Sequence, residues 1–277
     1  MTFSMWALLL LPVSGFLVGI IASMAGVGGG ILIVPLLTIL FGFVPQHAVG
    51  TSLASIVFTA LASTYSYARQ RRIFYRTGLL LAVTAVPGAY LGAYLTSLIS
   101  PRLLGLIFGF FILIVAVRMI FERRRRLLET TGPAPESPAP GRIIPQPQRS
   151  DAELMKSGWT LVLGVALNFF AGLASGFLGI GGGVLGVPIM TFVLGLPIHF
   201  ATATSMFTMI FTSLSGVAKH ALVHHVHLVQ ALLLALGTIF GAQVGAAFSK
   251  KISPKTLRGI FGALLLLMGI QMILKFL

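Results

Sequence analysis

The residues best suited to chemistry in this sequence are two glycine runs: Gly26, Gly28, Gly29 and Gly30, and Gly179, Gly181, Gly182 and Gly183. Consecutive glycines break a helix and leave backbone N–H groups without helical partners. A helix that resumes after such a break presents those groups at its N-terminus, with about half a positive elementary charge. Two such ends brought together supply about one positive charge without an ionised side chain, which suits a small anion. Pro35 and Pro188, five residues beyond the last glycine of each run, reinforce the break by removing a further donor. Thr51, Ser52, Thr204 and Ser205 follow Pro45 and Pro197 early in the next apolar stretches and add hydroxyl donors to the same cavity. Plainer readings exist for both features. Glycines let helices pack closely, and hydroxyls bond back to a carbonyl one turn earlier. The recurrence of each feature in pairs favours a binding site.

The remaining ionisable groups narrow the chemistry. All five carboxylates, Glu122, Glu129, Glu136, Asp151 and Glu153, fall in one polar segment. Intramembrane ionisable groups relay protons or bind cations in transporters, so a body without carboxylates argues against a carboxylate cation site. Any protonatable group inside must be histidine. His47 and His199 precede Thr51 and Thr204. Lys219 and His220 close an apolar span, and both are expected to contribute to the anion site. His220, His224, His225 and His227 support an alternative reading as a metal or cation carrier, although a polar loop at the membrane surface accounts for them as well. A non-transporting receptor or scaffold is a third reading. The sequence contains no cysteine, which excludes disulfides, thiolate metal sites and cysteine nucleophiles. It contains no serine-hydrolase elbow, HExxH motif or Walker loop. No catalytic residue, cofactor or resident metal is expected, and the chain is not expected to be an enzyme.

The elements that position these residues are membrane helices. Of 277 residues, 57% are hydrophobic and 9% charged, with a mean hydropathy of +1.01 and a net charge of +14. A soluble domain carries about a quarter charged residues, so a soluble protein is excluded. Excess Lys and Arg in a hydrophobic chain reflects cytoplasmic loops rather than nucleic-acid binding. Apolar stretches run over 5–23, 48–68, 77–98, 101–121, 157–178, 201–219, 228–249 and 253–275, with shorter ones at 29–41 and 182–195. Each long stretch approaches the roughly 20 residues that a helical span requires, and none alternates as barrel strands do. Residues 122–156 hold six of the 14 prolines and read as a flexible, solvated linker.

The chain is one unit written twice. "GVGGGILIVP" from Gly26 matches "GIGGGVLGVP" from Gly179, an offset of 153 residues. At that offset Thr51-Ser52 matches Thr204-Ser205, "GAYLGA" at Gly88 matches "GAQVGA" at Gly241, and Ser100-Pro101 matches Ser253-Pro254. Gln46 matches His199, and Tyr67 matches His220. The expected organisation is a first membrane repeat at 1–121, a cytoplasmic linker at 122–156 and a second repeat at 157–277. Four segments per unit would make the repeats parallel, and five would invert them. Inversion places Arg69, Arg71, Arg72, Arg76, Lys250, Lys251, Lys255 and Arg258 on one side and Arg102, Lys219 and Lys275 on the other. Parallel units split these charges almost evenly. The positive-inside tendency therefore favours inversion, with both termini outside. The expected fold is an all-α integral membrane protein of two inverted repeats, each of four to five helical segments, eight to ten in total, with glycine-broken helices.

These motifs carry a resemblance. "GVGGGILIVPLL…AVGTSL" and "GIGGGVLGVPIM…ATATSM", with "GAYLGA", "GAQVGA" and "SGVAKH" ending at His220, resemble the TauE/SafE sulfite exporter family, the TSUP permeases. The resemblance covers both membrane halves and omits only the linker. It implies a secondary transporter, acting as an exporter, of sulfite, sulfoacetate, other organosulfonates and related small anions in the cytoplasmic membrane of a prokaryote. The expected partners are such an anion and the lipid bilayer, with a homodimer left open. "RQRRIFYRT" and the long linker depart from the family's usual pattern.

Overall fold

A computed structural model describes residues 5–25, 29–128, 158–248 and 254–277. The described residues form ten helices and no strand. The first five are α1 (Met5–Ala25), α2 (Gly30–Ile39), α3 (Pro45–Arg69), α4 (Tyr75–Leu98) and α5 (Pro101–Leu128). The second five are α6 (Gly158–Leu178), α7 (Gly183–Pro188), α8 (Ile198–Leu222), α9 (Leu228–Phe248) and α10 (Pro254–Phe276). Helix α7 continues as a π-helical turn, Ile189–Val193. The 153-residue offset maps α1–α5 onto α6–α10 in order, so each unit has five segments.

Five helices are long and apolar enough to cross a membrane: α3, α4, the Pro101–Ile120 part of α5, α6 and α8. Helices α1, α9 and α10 span 21, 21 and 23 residues, about 30 Å or more at 1.5 Å per residue. Helix α2 has only 10 residues, about 15 Å, roughly half a bilayer. Helix α5 runs on to Leu128, into the segment 122–156 read as a linker. The rest of that segment, like Gly26 and Gly28, lies outside the described residues.

Helix packing exchanges partners between units. Helix α1 packs chiefly on α9, and α4 packs chiefly on α6. Both pairs run parallel. Gly15 and Gly19 face Leu234 and Thr238, while Gly88 and Gly92 face Phe169 and Leu173. Equivalent helices instead pack antiparallel. Gly50 meets His220 and Leu53 meets Gly216 between α3 and α8, and Gly105 meets Phe276 and Gly269 meets Leu113 between α5 and α10.

Glycine permits the parallel pairs. A Cβ at Gly176 would lie 1.9 Å from the Ala89 carbonyl oxygen, and one at Gly241 would lie 2.1 Å from that of Phe16. The "GAYLGA" and "GAQVGA" repeats are therefore contact stripes. The largest apolar core surrounds α2, whose residues Gly30–Thr38 are all buried, with Leu104, Phe108 and Ile112 of α5 and Phe261 and Leu265 of α10. A short helix at membrane depth must be enclosed by protein, and α2 is. Helix α7 is less enclosed, with only Gly183 and Gly186 buried.

Candidate functional site

The two glycine runs meet. The place a Cβ would take on Gly30 is 2.9 Å from the Gly179 carbonyl oxygen and 2.8 Å from the Ile180 Cα. The same place lies 2.7 Å from the end of Ile56, and that of Gly181 lies 2.6 Å from the end of Met209. Ile56 and Met209 stand near the middles of α3 and α8. Each half-helix starts after a glycine in the left-handed region, Gly29 at φ 80° and Gly182 at φ 90°, where a side chain would strain the backbone. Ser52 fastens the two units together by donating to the Gly179 carbonyl at 2.9 Å.

A small cavity opens against the second run. Gly181, Gly182 and Ser205, all expected from the sequence, line it together with Asn168, Thr208 and Thr212. Asn168 Nδ2 donates to the Leu81 carbonyl at 2.8 Å, and Thr212 donates to that of Gly181 at 3.1 Å. Close by, the buried Ser175 hydroxyl has no hydrogen-bond partner. It lies 3.6 Å from where a Cβ would stand on Gly182, with Thr212 Oγ1 at 3.7 Å. An unsatisfied buried hydroxyl is unfavourable unless something else bonds it. Around Gly29 the equivalent neighbours are the carbon atoms of Ala22, Ile33 and Val18. The polar residues lining this cavity all come from the second unit.

Asn168, Ser175, Thr208 and Thr212 did not stand out in the sequence. A signal for two of them was present. Asn168 occupies the position of Gly15, and Ser175 that of Ala22, so the repeat breaks from small to polar on the helix leading into the second run.

Other expected residues lie elsewhere. Thr51 and Thr204 make a reciprocal pair of bonds across the unit boundary. Thr51 Oγ1 accepts from the His227 N–H at 3.2 Å, and Thr204 Oγ1 accepts from the Phe74 N–H at 3.1 Å. Neither lines the cavity. Lys219 points toward α4, its Nζ 4.9 Å from the Tyr94 ring centroid and 6.0 Å from that of Tyr90, an arrangement that favours the cation. His220 is buried, with Nε2 3.4 Å from the Gly176 carbonyl oxygen, and it does not line the cavity either. Among the described residues no three His, Asp or Glu side chains are grouped to hold a metal ion, so the metal-carrier alternative has no support there.

Comparison with known proteins agrees with this architecture. The profile of the family described as "Sulfite exporter TauE/SafE" matches residues 11–272. The chain is 35% identical over 271 residues to the probable membrane transporter protein YunE of Bacillus subtilis, covering 95% of this chain and 96% of that protein. It is 32% identical to the probable membrane transporter protein YdhB of the same organism, over 87% and 89% of the two chains. It is 28% identical to the probable membrane transporter protein MJ0441 of Methanocaldococcus jannaschii, over 96% and 97%. No solved structure matches the chain significantly.

Proposed function

The chain belongs to the sulfite exporter TauE/SafE family of membrane transporters, and from that premise we propose that it is a secondary transporter of small sulfur-containing anions. The class comprises sulfite, sulfoacetate and other organosulfonates, and the direction is export. One observation carries the anion class. Two glycine-broken half-helices meet beside a cavity lined by hydroxyls and an amide, in a chain whose five carboxylates all lie between 122 and 153. The second N–H of Asn168 and the unpartnered hydroxyl of Ser175 beside the cavity are left to donate to a ligand, and no Asp or Glu lines the cavity. The cavity adjoins the boundary between units, where alternating access by rocking of the two repeats would expose it to each side in turn.

The two units are inverted across the membrane in this reading. The antiparallel courses of α3 with α8 and of α5 with α10 support it. The end of the molecule that holds Arg69, Arg71, Arg72 and Arg76 also receives the end of α5, and it is assigned to the cytoplasm by its charge. The ends of α1 and α10 that lead to the chain termini then face outside.

The test is flux into reconstituted vesicles with sulfite and sulfoacetate, together with a thermal-shift screen of sulfur oxyanions and sulfonates. Ser175→Ala removes a hydroxyl that makes no hydrogen bond within the protein, so the melting temperature is expected to stay unchanged. Loss of a hydrogen bond to a charged ligand is worth about 1.5–3 kcal/mol, so transport at low substrate falls about tenfold or more. Unchanged flux in Ser175→Ala and in Asn168→Leu would remove the cavity from the mechanism. Absence of flux for every anion tried would remove the anion assignment.

A further inference from the structure

A second polar constellation crosses the unit boundary at the end of the molecule opposite the arginine-rich loop. His47, at the start of α3, places Nδ1 2.8 Å from His227 Nε2. Its ring centroid is 5.0 Å from that of His225. His225 Nδ1 lies 3.4 Å from Nδ1 of buried His220, which reaches the Gly176 carbonyl of α6. Four imidazoles thus form a continuous row from the α8–α9 loop inward. His224, exposed, and His199, at the other end of α8, stand outside it.

The repeat supplies a comparison within the same molecule. The positions equivalent to His47, His227, His225 and His220 hold Phe200, Phe74, Arg72 and Tyr67. The two loops have the same backbone. Arg71 and His224 both adopt positive φ, 54° and 57°. The Arg72 N–H bonds the Tyr67 carbonyl as the His225 N–H bonds that of His220. At the arginine end the boundary is closed by the Phe74 and Phe200 rings, 5.5 Å apart, where His47 and His227 meet at the other end, 5.0 Å apart. The fold therefore closes this contact without any imidazole. Histidine at all four positions of one end requires another explanation.

The surroundings determine what that row can do. The charged and titratable groups facing this end are Lys219 of α8, Tyr90 and Tyr94 of α4, His224 of the loop, Arg102 of α5 and Lys275 of α10. Among the described residues none is an Asp or Glu side chain, and α9 carries no titratable side chain. A hydrogen bond between two imidazoles needs one N–H and one lone pair, so the row accommodates a first proton by sharing it. A second proton on the same pair makes both facing nitrogens donors. The contact then becomes repulsive, and among the described residues no Asp or Glu side chain faces it to offset that. Burial already holds His225 and His227 below the ordinary imidazole value.

We infer that the His47–His227–His225–His220 row is a proton-binding site, and that double protonation of its His47–His227 contact loosens the boundary between α3 and the α8–α9 loop, opening the molecule on that side. That the opening serves transport rests on the function proposed above. Proton binding and loosening do not.

The absence of native cysteine makes the test direct. Ala48 is fully buried beside His47. Labelling of Ala48→Cys by a maleimide in detergent is followed from about pH 7.5 to about pH 4.5, through the ordinary histidine range and below it. The rate is divided by that of the same cysteine in a His47→Phe/His227→Phe background, which copies the phenylalanine end and cancels the reagent's own pH dependence. The ratio is expected to rise several-fold as pH falls, and the melting temperature of the histidine-bearing protein to fall over the same interval while that of the phenylalanine variant stays level. If the double variant does not fold, His47→Gln takes its place. A ratio and a melting temperature that follow pH identically in both backgrounds would overturn the inference, even where sulfoacetate flux is intact. A rising ratio without sulfoacetate flux would sustain it while removing the substrate assignment.

Discussion

Thr51 and Thr204 show what a recurring hydroxyl can and cannot reveal. Their pairing at the repeat offset identified them as important, and the structure gives the reason: each oxygen bonds the N–H at the foot of the other unit's fourth helix. Repetition alone cannot tell such a cross-brace from a ligand donor, because both recur with the unit. Thr51→Val leaves the His227 N–H buried without its partner and is expected to cost about 1–3 kcal/mol. Thermal unfolding at pH 7.5 should show that loss, and the sulfoacetate affinity of the folded fraction should remain at the parent value. His47 presents the opposite case. Its meeting with His227, 180 positions away, follows only from the antiparallel course of α3 and α8, and no spacing in the sequence encodes that.

At the level of elements, the glycine runs, the two half-helices and the long spans were all legible, because helix breaks and apolar length are local properties. The asymmetry between the half-helices was harder to read. Helix α2 is wholly enclosed, whereas α7 is partly open and gives way to a π turn after Pro188. The difference depends on which neighbours cover each helix. The roles of "GAYLGA" and "GAQVGA" were likewise hidden until α4 was found against α6 and α1 against α9. Gly176→Ala tests those stripes. Its Cβ would press on the Ala89 backbone at 1.9 Å, and overpacking of this kind costs about 1–3 kcal/mol or more. Gly158→Ala, which meets nothing within 4 Å, should leave the melting temperature within the range of an innocuous surface change.

For the whole molecule, the arithmetic of charge and the course of the helices point the same way. Cysteines introduced at Arg71 and at Lys255 should be labelled from the same face of intact cells or oriented vesicles, and cysteines at Arg102 and at Lys219 from the other. Labelling of positions 71 and 255 from opposite faces would contradict inversion. The exchange of first helices has a further consequence. Helix α1 finds its main partner in the second half and α6 finds its own in the first, so neither half closes by itself. With the inversion proposed above, a single-copy ancestor of this architecture would have paired with a second copy of itself inserted upside down. One gene product would have entered the membrane in both orientations, and the fusion fixed one of each in a single chain. From then on the two copies were free to diverge, until one end of the boundary carried phenylalanine and the other histidine.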